Sequence, residues 1–143
     1  SPPPPPWIPA SEGSVRLVNG PTLATGLLEV YHAGEWGTVC GDRFEQVEAD
    51  IVCAQLGYGA GVPGGFKQAS RANPRYKYGV GAGQIWMDEL ECTGSEARLA
   101  DCDFAGLGQF WGVTDCRHPS DVYVECSDQP PSPPPPPPPS PPP

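Results

Sequence analysis

Residues 26–40 read GLLEVYHAGEWGTVC. Two β-prone runs, Gly26 to Tyr31 and Trp36 to Cys40, flank the short connection His32-Ala33-Gly34-Glu35. This arrangement predicts a β-hairpin. In its second arm Trp36, Thr38 and Cys40 share one face. Upstream, Val15-Arg16-Leu17-Val18 predicts another strand, closed by the turn cluster Asn19-Gly20-Pro21. Downstream the period changes. Phe44, Val47, Ile51, Val52 and Leu56 recur at helical spacing, Cys53 joins that stripe, and Gly57 closes the helix.

Residues 57–84 are rich in glycine and carry Pro63 and Pro74, which predicts a long loop. Ile85 to Asp88 is a short strand candidate. Ser95 to Ala100 is expected to form a helical turn with Ser95 as N-cap. Val122 to Cys126 alternates and predicts a last strand. Strands at both ends, one helix between and much loop argue for an α+β domain.

Six cysteines, Cys40, Cys53, Cys92, Cys102, Cys116 and Cys126, all fall within this stretch. An even count at wide spacing in a small domain reads as a disulfide framework, although spacing alone leaves the connectivity open. Such bonds persist in oxidising surroundings, so an extracellular or secretory-lumen location is expected. The flanks differ in kind. Segments 1–14 and 128–143 are proline-rich linkers, whose runs adopt extended polyproline II. Residues 15–127 remain, roughly 113, enough for one domain.

The formal net charge is −9, and the proline runs carry none of it. Nucleic-acid binding, which needs a basic face, is therefore disfavoured, whereas divalent cations and cationic partners suit this balance. No apolar run approaches the ~18 residues of a membrane span. No signal peptide is visible at SPPPPP, so the chain reads as a mature form or, given proline on both flanks, as a piece of a longer secreted protein.

The ordered motifs VRLVNG, GLLEVYHAGEWGTVC, DIVCAQLGYG, GQIWMDELECTGSEARLADC and DCRHPSDVYVEC resemble a scavenger receptor cysteine-rich domain over Val15 to Cys126. Six cysteines are similar to its group A. The resemblance implies a curved antiparallel β-sheet cradling one main helix. It also implies three disulfides: Cys40 with Cys116, Cys53 with Cys126 and Cys92 with Cys102.

It further implies candidate sites. One cation site of the family uses two acids just after the first cysteine and a Glu near the end. Those positions are Gly41, Asp42 and Ser120 here, so that site is expected to be absent or very weak. A second uses the acid after Ile-Trp-Leu and a polar residue before the fifth cysteine. Asp88, helped by Glu89, and Asp115 occupy these places and could hold calcium, which takes six to eight oxygen ligands. The plainer alternative is an acidic, solvated surface; the domain requires no cofactor.

Four of the eight basic residues, Lys67, Arg71, Arg75 and Lys77, lie close together with Tyr76 and Tyr78 interleaved. They form a candidate landing surface for a polyanion such as an acidic polysaccharide, against the alternative of scattered charge on a solvated loop. The family's bacterial-surface-binding stretch is similar to Leu28-Glu29-Val30-Tyr31 followed by Trp36, where plain burial in a hairpin is the simpler reading. Trp36, Trp86 and Trp111 read as packing residues, and Trp7 as exposed.

Zinc is disfavoured, with no C-x-x-C pair and only His32 and His118 available. A hydrolytic triad is disfavoured too: His118 and Asp121 have no serine or cysteine in a nucleophile turn. Asn19 and Asn73 lie outside any glycosylation sequon. The Ser-Pro runs at 130–143 resemble hydroxyproline-rich glycoproteins of plant and algal walls, and would make stiff spacers. The leading expectation is a non-catalytic extracellular recognition module for a polyanionic or protein ligand. The alternatives are a structural bead of a cell-wall or matrix glycoprotein, and an accessory domain of a larger secreted enzyme.

Overall fold

The computed structural model describes residues 10–68, 83–106 and 108–127. Six strands and one helix follow in the order β1 (Val15–Thr22), β2 (Thr25–His32), β3 (Glu35–Val39), α1 (Gln46–Gln55), β4 (Gly61–Gln68), β5 (Ile85–Met87) and β6 (Val122–Cys126). Three-residue 3-10 turns lie at Leu99–Asp101 and His118–Ser120.

β2 organises the sheet. One edge pairs antiparallel with β1, with Leu17 opposite Leu28. The other edge is shared: Thr25–Leu27 pairs with β6 and Glu29–His32 with β3, both antiparallel. β4 extends the sheet beyond β6, and β5 lies beyond β3. The hairpin expected at residues 26–40 is present. Its turn places Ala33 at φ 52° and Gly34 at φ 86°, as a two-residue hairpin turn requires. The Ala33 N–H donates to Glu12 Oε1 at 3.2 Å, which helps hold a residue that has a Cβ in the left-handed region.

Leu28, Val30, Val39, Val52, Val122 and Val124 fill the core between sheet and helix. Leu27 and Tyr123 form a small cluster of their own with Val18. α1 begins at a capping box: the Glu45 N–H donates to Glu48 Oε1 at 2.8 Å, and the Glu45 carboxylate accepts from the N3 backbone in return. The second Glu48 oxygen accepts the Cys92 N–H at 3.0 Å. A carboxylate only 3% exposed is thereby satisfied at both oxygens.

Several expectations need correction. The helix starts at Gln46, so Phe44 is buried before it, while Val47 is 37% exposed and Ala49 takes its place inside. The capping box, not the apolar stripe, decides the start. Residues 57–84 are not all loop, because β4 occupies Gly61–Gln68. Its register with β6 breaks between Gly61 and Phe66, an irregularity that glycine permits. β5 runs parallel to β3, so the sheet is antiparallel-rich rather than wholly antiparallel. The helical turn expected from Ser95 is displaced to Leu99–Asp101. Glu96 instead accepts the Thr93 and Gly94 N–H groups, and these backbone donors, Thr93 above all, hold its carboxyl below the ordinary value.

Three disulfides close the framework: Cys40–Cys116, Cys53–Cys126 and Cys92–Cys102. They are the pairs implied by the family resemblance. The second clamps α1 to β6, with Cα atoms 5.5 Å apart.

Candidate functional site

The carboxylates converge where β3 ends. Cys40 closes β3 and donates its N–H to the Met87 carbonyl at 2.9 Å, which brings the end of β5 alongside. Asp42 follows two residues after Cys40, and Asp88 follows β5. The Cys40–Cys116 bridge then draws in the loop that carries Thr114 and Asp115. One ligand-type atom from each of Cys40, Asp42, Asp88 and Cys116 lies within 4.8 Å of the others. Asp115 adjoins them, its Oδ1 3.9 Å from Cys116 Sγ.

Each of the two grouped carboxylates has one oxygen held by a neighbour. Gln68 Nε2 donates to Asp42 Oδ1 at 3.0 Å, and Asp42 Oδ2 lies 3.5 Å from Cys116 Sγ. Thr114 Oγ1 donates to Asp88 Oδ2 at 2.9 Å. Asp88 Oδ1 is buried without a partner among the described residues, in a side chain 3% exposed. Burial pushes the Asp88 carboxyl above its ordinary value, the Thr114 hydroxyl and Asp115 N–H oppose this, and the charges of Asp115 and Asp42 add to it. An unpaired buried carboxylate oxygen beside other anions suits a hard cation with oxygen ligands.

Of the candidate cation ligands read from the sequence, Asp88 belongs to this group of four and Asp115 lies beside it. Glu89 is exposed, at φ 54°, and is not in the cluster. Asp42 is the residue that sequence reasoning misplaced, having assigned it to a separate, depleted site. The implied Cys40–Cys116 pair carried the signal that could have found it, since Asp42 and Asp115 flank that bridge.

Lys67 is exposed on β4; Arg71, Arg75 and Lys77 lie outside the described residues, as do Tyr76, Tyr78 and Trp7. Lys67 and Gln68 border an open cleft of about 390 Å³ with Gly41, Phe44, Phe66 and Val122. The aromatic residues elsewhere pack mainly on one another. His32 stacks on Trp111 at 3.9 Å and meets Trp86 edge-on, and Phe104 abuts Trp111. Leu28 and Val30 are buried, as the simpler reading of that stretch has it. Trp36 is not: it is half-buried under the Arg16 guanidinium, 4.1 Å from its ring.

His118 has both ring nitrogens engaged. Nδ1 pairs with Asp121 Oδ2 at 2.8 Å, and Nε2 meets the Gly83 carbonyl at 3.0 Å. Burial disfavours the charged ring, but the bonds to Asp121 and Gly83 outweigh it and raise the His118 pKa above its ordinary value. The arrangement ties β6 to the segment before β5 and leaves no free imidazole nitrogen for a nucleophile.

This framework of a curled sheet, one helix and three bridges defines a disulfide-stapled domain of the scavenger receptor cysteine-rich class. The model of the scavenger receptor cysteine-rich domain matches residues 18–127, and the chain belongs to that family. It is 47% identical over 104 residues to lysyl oxidase homolog 2 of Xenopus laevis, covering 73% of this chain and 12% of that protein. It is 40% identical over 122 residues to CD5 antigen-like of Homo sapiens, covering 85% and 32%. It is 40% identical over 119 residues to galectin-3-binding protein of Rattus norvegicus, covering 83% and 19%. The chain thus spans a third or less of each of these relatives. Among solved structures, the third such domain of murine neurotrypsin superposes with a TM-score of 0.65 at 36% identity, covering 79% of this chain and 94% of that one. The dimeric form of the domain of mouse MARCO superposes with a TM-score of 0.58 at 37% identity, covering 72% and 86%. No helix among the described residues is long and apolar enough to cross a membrane.

Proposed function

We propose that this domain is a non-catalytic extracellular recognition module that binds a polyanionic ligand with the help of a divalent cation, calcium being the natural choice. The observation that carries this reading is the buried Asp88 carboxylate, whose Oδ1 lacks a partner among the described residues, grouped with the Asp42 carboxylate. Asp88, Asp42 and Asp115 would hold the cation, with Glu89 at most contributing from the exposed rim. Three carboxylates leave a calcium ion short of its six to eight oxygens, so water or ligand oxygens complete the shell. An anionic group on the ligand is suited to that role. Lys67, with Arg71, Arg75 and Lys77, would supply the second half of the contact by simple charge attraction. The proline-rich flanks, 1–14 and 128–143, serve as spacers that hold this group A-like domain clear of its neighbours. Several copies on one parent would raise avidity without new contacts.

The test is a titration with calcium and with a sulfated polysaccharide across a range of salt. Binding that needs calcium, weakens with salt and is lost on neutralising Lys67, Arg71, Arg75 and Lys77 supports the reading. No binding of the polysaccharide at low salt in the presence of calcium refutes it.

A second reading is supported by the 47% identity to lysyl oxidase homolog 2, of which the chain would represent 12%. The domain would then be an accessory module beside an oxidase in its parent. An oxidase domain in the parent sequence supports that reading, and a parent built only of binding modules and spacers removes it.

A further inference from the structure

The same corner carries chemistry that a calcium reading does not use. Cys40 and Cys116 contribute two sulfurs to the group of four ligand-type atoms that lie within 4.8 Å of one another. While bonded to each other, they are poor ligands for any cation. We propose that opening the Cys40–Cys116 disulfide converts this corner into a zinc site of two thiolates, from Cys40 and Cys116, and two carboxylates, from Asp42 and Asp88.

The geometry is close to what zinc requires. Zinc takes four ligands in a tetrahedron, with sulfur at about 2.3 Å and oxygen at about 2.0–2.2 Å, so neighbouring donors stand roughly 3.3–3.8 Å apart. The carboxylate and sulfur atoms, within 4.8 Å of one another, need close by no more than about 1.5 Å to reach such spacing. The two sulfurs must separate, and rotation of their side chains suffices, since their Cα atoms are already 6.2 Å apart.

The supporting shell is also in place. Gln68 holds Asp42 Oδ1 and Thr114 holds Asp88 Oδ2. Each carboxylate therefore has its other oxygen available: Asp42 Oδ2, 3.5 Å from Cys116 Sγ, and Asp88 Oδ1, buried with no partner among the described residues. The Asp42 N–H donates to Cys40 Sγ at 3.4 Å, a contact that favours the thiolate. Such second contacts orient ligands and strengthen metal sites.

The sequence disfavours zinc because no two cysteines sit in a C-x-x-C pair. That argument concerns local spacing. Here the two sulfurs come from residues 76 apart in the chain, and the fold has already brought them to one point. Thiolate ligands favour zinc, whereas the oxygen ligands of the bridged form favour calcium or magnesium. The redox state of one bridge therefore selects the class of cation.

The opening step needs a dithiol reductant. Its thiolate attacks Cys116 Sγ, the half-buried sulfur, and the Cys40 sulfur leaves as a thiolate. The second thiol of the reductant then resolves the mixed disulfide, releasing Cys116 and closing the reductant into its own disulfide. Two electrons pass to the protein, the two sulfurs take up two protons, and zinc displaces both on binding. Cys53 and Cys126 are buried, which shields their bridge from the same attack.

The experiment treats the protein with an immobilised dithiol, which is removed before zinc is added. Peptide mapping verifies that Cys53–Cys126 and Cys92–Cys102 remain closed. Where Cys92–Cys102 opens first, the Cys92→Ala/Cys102→Ala variant is used instead. Zinc is measured by competition with a chromophoric chelator, and the thiols by iodoacetamide labelling. One zinc per opened chain is expected, with alkylation of Cys40 and Cys116 slowed at least about ten-fold by the metal. Asp42→Asn is expected to weaken zinc binding by about 10- to 100-fold. The proposal is overturned if the opened chain binds no zinc, if the bridged chain binds it equally well, or if Asp42→Asn leaves the affinity of the opened chain unchanged. None of these readouts depends on calcium or polysaccharide binding.

Discussion

Replacing Asp88 with asparagine tests the cation reading by thermodynamics alone. The wild-type carboxylate is 3% exposed, and its Oδ1 has no partner among the described residues. A buried polar atom left unsatisfied costs roughly 1–3 kcal/mol, and the nearby charges of Asp115 and Asp42 add repulsion. An asparagine keeps an oxygen for the Thr114 hydroxyl, sheds the charge and offers its amide hydrogens to Asp42. In chelator at pH 7 the variant is therefore expected to be more stable by about 1–2 kcal/mol, a rise in Tm of about 4–8 °C for a domain this size.

Calcium reverses the order. A ligand at 100 times its Kd stabilises the form that binds it by about 2.7 kcal/mol, and Asp88→Asn forfeits most of that gain. Burial, foremost, raises the folded-state pKa of Asp88, so its destabilising effect is complete above that raised value and fades as pH falls toward the ordinary one. The advantage of the variant in chelator is expected to shrink on acidification accordingly. Thermal melts by circular dichroism, with and without calcium and with all bridges closed, make the measurement. A variant less stable than wild type in chelator, or one stabilised by calcium to the same extent, refutes the argument.

The raised pKa of His118 makes its contribution to stability fully present below the ordinary histidine value of about 6.5 and lost as pH rises through the folded value. His118→Gln is expected to flatten the decline in stability above pH 6.5, read by denaturant titration at several pH values. Glu48→Ala removes the acceptor for both the Glu45 and Cys92 N–H groups, and a loss of about 2–4 kcal/mol is expected in urea unfolding. Gly37→Ala would place a Cβ 2.5 Å from the Trp86 ring and 2.7 Å from the Gln84 carbonyl oxygen. It is expected to break the β3–β5 pairing and lower Tm, with a change in the near-ultraviolet signal of Trp86.

The hairpin and β6 were legible because their alternation and turn residues act locally. So was the existence of α1, although its first residue is decided by Glu45 and Glu48, which an apolar stripe does not reveal. β4 was hidden because its stability comes from β6, far along the chain, and glycine and proline mask the strand pattern. The parallel pairing of β5 was hidden for a related reason: three residues of strand cannot announce which partner they take. Asp88 was readable from its motif. Asp42 was not, because its place beside Asp88 depends on the end of β5 lying against the end of β3.

The chain by itself determined the classes of local structure, the acidic balance and the family, since these follow from residue types and short-range order. Only the tertiary structure decided which carboxylates meet, which oxygen is left without a partner and which sulfurs stand beside it. Those outcomes depend on contacts between distant segments, and such contacts exist only once burial and the three bridges have fixed the chain in space.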